Sequence, residues 1–140
     1  MVGSRDILLD TGPLVAVLNS ADQGHRDCVD LWHELADRCL TTEAVVTEAT
    51  HLVGRAGPAS LPLELLLAAR IPVVSLERAG HEHAVRLMRR HAELPMDYAD
   101  ASLIVVADAL QLETVFTLDR KGFETYRRGN RSGFIVLPKR

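Results

Sequence analysis

Carboxylates stand at four places in the sequence where their presence calls for a reason. In DILLDTGPLV, Asp10 directly follows the apolar run Ile7-Leu8-Leu9. In TVFTLDRKG, Asp119 follows a second such run. In TTEAVVTEATHLVG, Glu48 falls at helical spacing on the face formed by Val45, Ala49 and Leu52. A carboxylate aimed at a core is costly unless it is paired or bound to metal. In PMDYADASLIVVADAL, Asp97 and Asp100 open a stretch that is apolar almost all round. If two strand ends and two helix faces bring these groups to one rim, each pair at ~4 Å repels by roughly 1–4 kcal/mol. Such a cluster needs counter-charge, and hard oxygen ligands select Mg²⁺ or Mn²⁺.

Each position also has a plainer explanation. Asp10 sits at a helix entry, with Thr11 or Gly12 as N-cap and Pro13 near the first helical position. Glu48 can reach water from a helix edge. Asp97 and Asp100 have the spacing of an acidic capping box. Asp119 and Gly122 have the spacing of a type I turn. Singly, each explanation is about as good as its rival; together they leave the coincidence of four unexplained.

The elements that must position these groups alternate in type. Strand-like runs occur at Ile7–Leu9, Val73–Leu76, Thr114–Leu118 and Phe134–Leu137, with a weaker one at Arg38–Thr41. Helical patterns run through Val29, Leu31, Trp32 and Leu35, then Val45 to Val53, Leu63 to Ala69, Ala84 to Met88 and Ala99 to Leu110. Alternation of this kind predicts an α/β domain with a parallel sheet covered on both faces, whose ligands bind beyond the carboxyl ends of the strands. A chain of 140 residues suits one domain over 1–140, and Gly54-Arg-Ala-Gly-Pro58 reads as a break between helices. No apolar run approaches the ~20 residues of a membrane span, and the first residues have no signal-like apolar stretch. Cys28 and Cys39 form no CxxC pair, so reduced thiols and a cytoplasmic location are expected.

Charge is uneven. Residues 1–118 carry 9 basic and 17 acidic side chains, a net of −8, whereas residues 119–140 carry 7 basic and 2 acidic, a net of +5. The basic segment is either a solvated face or an anion contact, with Arg127 and Arg128 as candidate phosphate partners. Phe123, Tyr126 and Phe134 lie in it as candidate base-stacking groups, with core packing favoured for Phe134. Trp32 reads as core or interface. His81 and His83 are two apart, facing different sides of a helix, and no Cys cluster or HExxH motif accompanies them, so they read as surface residues rather than a zinc site. No Gly-rich phosphate loop or GxSxG elbow is present.

LLDTGPLVAVL, TTEAVVTEATHLV, PMDYADASLIVVA and VFTLDRKGF, in that order and spacing, resemble the PIN-domain family, and within it the VapC-type ribonuclease toxins. The resemblance covers nearly the whole chain and implies a three-layer α/β/α sandwich around a parallel sheet. It maps an acidic quartet onto Asp10, Glu48, Asp100 and Asp119, a hydroxyl onto Thr11, and an additional acidic position onto Asp97. Asp10 and Asp100 are the foremost expected ligands of Mg²⁺ or Mn²⁺, with Asp119 and Glu48 completing or orienting the shell. It also implies hydrolysis of RNA phosphodiesters with one or two metals, a homodimer, and inhibition by an antitoxin protein. Three alternatives stay open: a PIN protein of other RNA processing, a catalytically silent binding module, and a phosphotransfer domain with Asp10 as nucleophile. The last lacks the DxD expected of it.

Overall fold

The computed structural model describes residues 4–139. Its centre is β1 (Ile7–Leu9), a strand buried along its whole length, as a strand covered on both faces requires. β2 (Cys39–Thr42) pairs with β1 on one side and β3 (Val73–Val74) pairs with β2. β4 (Thr114–Phe116) pairs with β1 on the other side and β5 (Ile135–Leu137) closes that edge. All pairings are parallel, and the order is β3-β2-β1-β4-β5. From β1 the chain winds outward through β2 and β3, then returns to β4 on the far side of β1. The topological switch therefore lies between β1 and β4, where an open α/β sheet leaves a crevice at its carboxyl end.

Among the described residues, seven α-helices complete the α/β/α sandwich: α1 (Thr11–Leu18), α2 (His25–Leu35), α3 (Glu43–Gly54), α4 (Leu61–Ala68), α5 (Arg78–Arg90), α6 (Tyr98–Leu110) and α7 (Arg120–Thr125). α1 packs on α2 and α3, α3 on α4, and α5 on α6. α6 is the central helix expected from its sequence: Ala99 and every residue from Ala101 to Ala107 are buried. Trp32, Cys28 and Cys39 belong to the same core. Both thiols are free, and burial pushes them up to about 11 for Cys28 and about 12 for Cys39.

The sequence reading differs from the structure mainly at element ends. The runs to Leu76 and Leu118 stop as strands at Val74 and Phe116, and the weak run near Arg38 is a full strand ending at Thr42. The turn expected at Asp119 is the first turn of α7. Six-residue helices carry too little periodicity to be told from turns.

The basic segment is also used differently from the expectation. Nη1 of Arg127 donates to the carbonyls of Glu124, Thr125 and Tyr126 at 3.0 Å each, closing the end of α7. Arg128 donates to the carbonyl of Leu112 and faces Glu113, with its side chain only 11% exposed. These guanidiniums satisfy carbonyls of the fold, so Arg128 is not the free phosphate contact that its charge suggested.

Candidate metal centre

Asp10 stands one residue past β1, at the switch point. Its N–H still donates to the carbonyl of Phe116 at 2.9 Å, so the β1–β4 ladder runs to the rim. The side chain is buried, 6% exposed. Oδ1 accepts from the Thr11 N–H at 2.8 Å and Oδ2 from the Thr117 hydroxyl at 2.7 Å. Asp10 is thus itself the N-cap of α1, a correction to the reading that gave the cap to Thr11 or Gly12. Pro13 accordingly becomes the third helical residue. Gly12 has no positive φ. A Cβ there would stand 3.1 Å from Cβ of Leu118, so this glycine allows α1 close approach to the loop carrying Asp119.

Asp119 caps α7, with Oδ1 accepting from the Gly122 N–H at 3.1 Å. Its own N–H donates to the Thr117 hydroxyl at 2.9 Å. One hydroxyl thereby ties the end of β1 to the loop after β4. Glu48 lies at the edge of the apolar face of α3: Val45 and Ala49 are buried and Leu52 is 37% exposed. Its Oε1 accepts from the Thr11 hydroxyl at 2.6 Å. Asp97 and Asp100 form the capping box: the Asp100 N–H donates to Asp97 at 2.8 Å and the Asp97 N–H to Oδ2 of Asp100 at 3.2 Å. The Tyr126 hydroxyl donates to the same oxygen at 3.4 Å. The plain explanation of Asp97 and Asp100 thus holds locally, and the caps at Asp10, Asp97 and Asp119 also orient these carboxylates.

Asp10, Thr11, Glu48, Asp97, Asp100 and Asp119 all line one pocket of about 460 Å³. Asp22 lines it too, and among the described residues no Lys, Arg or His does. Among the described residues, however, no three His, Cys, Asp or Glu side chains converge as closely as a metal shell requires. The expected cluster is a lined pocket, in which caps hold Asp10, Asp97, Asp100 and Asp119 and the Thr11 hydroxyl holds Glu48. Burial, and then the charges of Glu48 and Asp97, raise Asp10 to about 6 against the two hydrogen bonds it accepts. Burial, followed by the charges of Asp97 and Asp10, pushes Asp100 up to about 8. A donor set of oxygens alone, strained by like charge and facing no cation, fits a hard divalent ion.

Sequence reasoning missed Thr117 and Asp22, and gave Tyr126 a base-stacking role in place of its bond to Asp100. Thr-x-Asp at a strand end was a readable signal for Thr117. Nothing local marks Tyr126, because its partner is 26 residues away in sequence. Thr117→Val should cost about 1–3 kcal/mol in urea denaturation, since it removes a buried donor from a buried carboxylate; an unchanged midpoint would show that the bond contributes nothing.

Other candidates resolve differently. Phe123 and Tyr126 are fully buried, edge to face at 5.3 Å, and Phe123 meets Phe134 at 5.5 Å. None of this stack of rings is an open platform for bases, which corrects the expectation for Phe123 and Tyr126. His83 is half-buried and shares a 2.7 Å hydrogen bond with Asp108, whereas His81 is exposed. Among the described residues, no helix is long and apolar enough to cross a membrane.

The family model described as PIN domain matches residues 7–129. Ribonuclease VapC26 of Mycobacterium tuberculosis is 28% identical over 138 residues, covering 94% of this chain and all of the relative. Among solved structures, the fold is similar to Mycobacterium tuberculosis VapC20, a sarcin-ricin loop cleaving toxin, with a TM-score of 0.75 and 21% identity over 81% of this chain and 90% of that one. It is also similar to DNA-bound VapBC of Salmonella typhimurium, with a TM-score of 0.65 and 15% identity over 94% of this chain and 96% of that one.

Proposed function

The chain belongs to the PIN-domain family, and from that premise we propose that it is a divalent-metal-dependent endoribonuclease, the toxin of a toxin–antitoxin pair acting in the cytoplasm. The observation that carries this reading is the acidic pocket at the β1–β4 switch point, which gathers Asp10, Glu48, Asp97, Asp100 and Asp119 with no Lys, Arg or His among the described residues that line it. The relative named as a ribonuclease and the similar toxin structures support the substrate class. The VapBC structures support a protein partner. A homodimer is part of the same reading, by family resemblance.

Asp10 and Asp100 would hold Mg²⁺ or Mn²⁺, with Asp119 and Glu48 completing or orienting its surroundings. When bound, the ion supplies positive charge for a phosphoryl oxygen and lowers the pKa of a coordinated water. The chain's own residues do the rest. Thr117 fixes the rotamer of Asp10 and holds the Asp119 loop beside it. Thr11 holds Glu48 at Oε1, so this carboxylate faces the pocket instead of swinging to solvent. The capping box and Tyr126 fix Asp100 at Oδ2. Holding the acceptors in place before substrate arrives is what makes such a site effective.

Metal binding can be read from stability. A carboxyl raised in the folded state stabilises the fold fully below its unfolded value near 4, and that stability is lost as pH rises through the folded value. For Asp10 and Asp100 the window runs from about pH 4 up through about 6 and about 8. In EDTA the melting temperature should therefore fall as pH rises from 5 to 8.5. Mn²⁺ should restore it, with an effect that grows with pH. Melting curves that Mn²⁺ leaves unmoved at pH 8.5 would count against a metal in this pocket.

A further inference from the structure

Beside the acidic pocket lies a second groove, of about 670 Å³, that shares Glu48 and Asp97 with it. Its wall is Tyr98, the first residue of α6. Residues two apart on a helix point to nearly opposite sides, so Asp100 lines the acidic pocket while Tyr98 lines the groove. The Tyr98 ring is 40% exposed, and His81 of α5 stands against it with ring centres 6.1 Å apart. Val74 and Leu76 supply an apolar floor; Ser75 and His51 supply polar edges.

Among the described residues no Lys or Arg lines the groove, and Glu43, Glu48 and Asp97 make it acidic. It therefore repels phosphate. It offers an aromatic face, apolar contact and hydrogen-bonding edges, the features that recognise an unstacked base. An RNA strand that places a phosphate at the acidic pocket carries its neighbouring bases beside that pocket, and this groove adjoins it through Glu48 and Asp97. We propose that the groove is a nucleobase subsite, in which one base of a single-stranded RNA stacks on Tyr98, braced by His81, while the adjoining phosphate enters the acidic pocket. The proposal rests on the ribonuclease reading and adds to it where the substrate base is held.

The test compares wild type with Tyr98→Ala, Tyr98→Phe and Tyr98→Trp. Anisotropy measures binding of a short fluorescein-labelled single-stranded RNA of randomised sequence, with Ca²⁺ in place of Mg²⁺; cleavage of the same RNA is followed in Mn²⁺. Loss of one stacked base should weaken binding of Tyr98→Ala by about 5- to 100-fold, raising KM with little change in kcat. Phe and Trp should bind as wild type does, because they keep the ring. Wild-type cleavage with unweakened binding by Tyr98→Ala would overturn the subsite alone, and would do so even if that variant lost a protein partner instead. Tyr98→Phe as weak as Tyr98→Ala would also overturn it, by tracing the effect to the hydroxyl. Wild type that neither binds nor cleaves RNA would overturn the ribonuclease reading and the subsite together.

Discussion

Asp100→Asn should lower Mn²⁺-dependent RNA cleavage by at least about 100-fold while making the metal-free protein more stable. The first effect follows from the position of the carboxylate. Outer partners of metal ligands typically contribute 10- to 100-fold, and a direct ligand contributes no less. The second effect has the opposite sign because Asp100 is raised to about 8 by burial and by the charges of Asp97 and Asp10. At pH 8.5 the wild-type carboxyl is mostly ionised and the fold bears most of that strain, which the amide removes. The amide oxygen can still accept from the Asp97 N–H and the Tyr126 hydroxyl, so the capping box survives. Asp10→Asn should be equally inactive but gain less stability: its amide nitrogen would face the Thr117 hydroxyl, which already accepts from the Asp119 N–H. Chemical denaturation in EDTA and a cleavage assay in Mn²⁺ read the two effects separately. Full cleavage by both variants would remove these residues from the site. Loss of cleavage with loss of stability would assign them a structural role instead.

Expression of the wild-type chain alone should arrest bacterial growth, and Asp100→Asn should abolish the arrest. Co-expression with a cognate antitoxin should relieve it as well. The physical basis is the uncompensated acidity of the pocket: a partner that presents an Arg can pair with this carboxylate rim and compete with metal. The inactive variant should still capture the partner, because most of the binding energy of such an interface comes from apolar anchors outside the rim. Growth curves and a pull-down from the native host check both halves. Untouched growth with no partner recovered would remove the toxin role and leave the nuclease assignment standing.

How much of this was readable beforehand depended on distance along the chain. The parallel α/β fold followed from the alternation of short apolar runs with helical patterns, and the central place of α6 from its all-round apolarity. The acidic residues that line the pocket were marked by their places at strand ends and helix faces, as Asp10 is after Ile7–Leu9, and by resemblance to the PIN-domain family. The strand order that places Asp10 and Asp119 at a switch point needed the structure. So did the supports. Thr117 reaches Asp10 across 107 residues and Thr11 reaches Glu48 across 37, separations that no periodicity encodes. Arg127 and Arg128 misled for a related reason. Composition records their charge, but the carbonyls they satisfy appear only when α7 and the loop after α6 are in place. Phe123 and Tyr126 misled likewise, since a short helix folds both rings inward.

The most direct test of a divalent-metal ribonuclease centred on this pocket is cleavage of a labelled single-stranded RNA by protein stripped with EDTA and then titrated with Mn²⁺. The wild-type protein should be silent in EDTA and recover cleavage as Mn²⁺ is added, with Asp100→Asn silent throughout. Cleavage that persists unchanged in EDTA, or that Asp100→Asn retains in full, would contradict it.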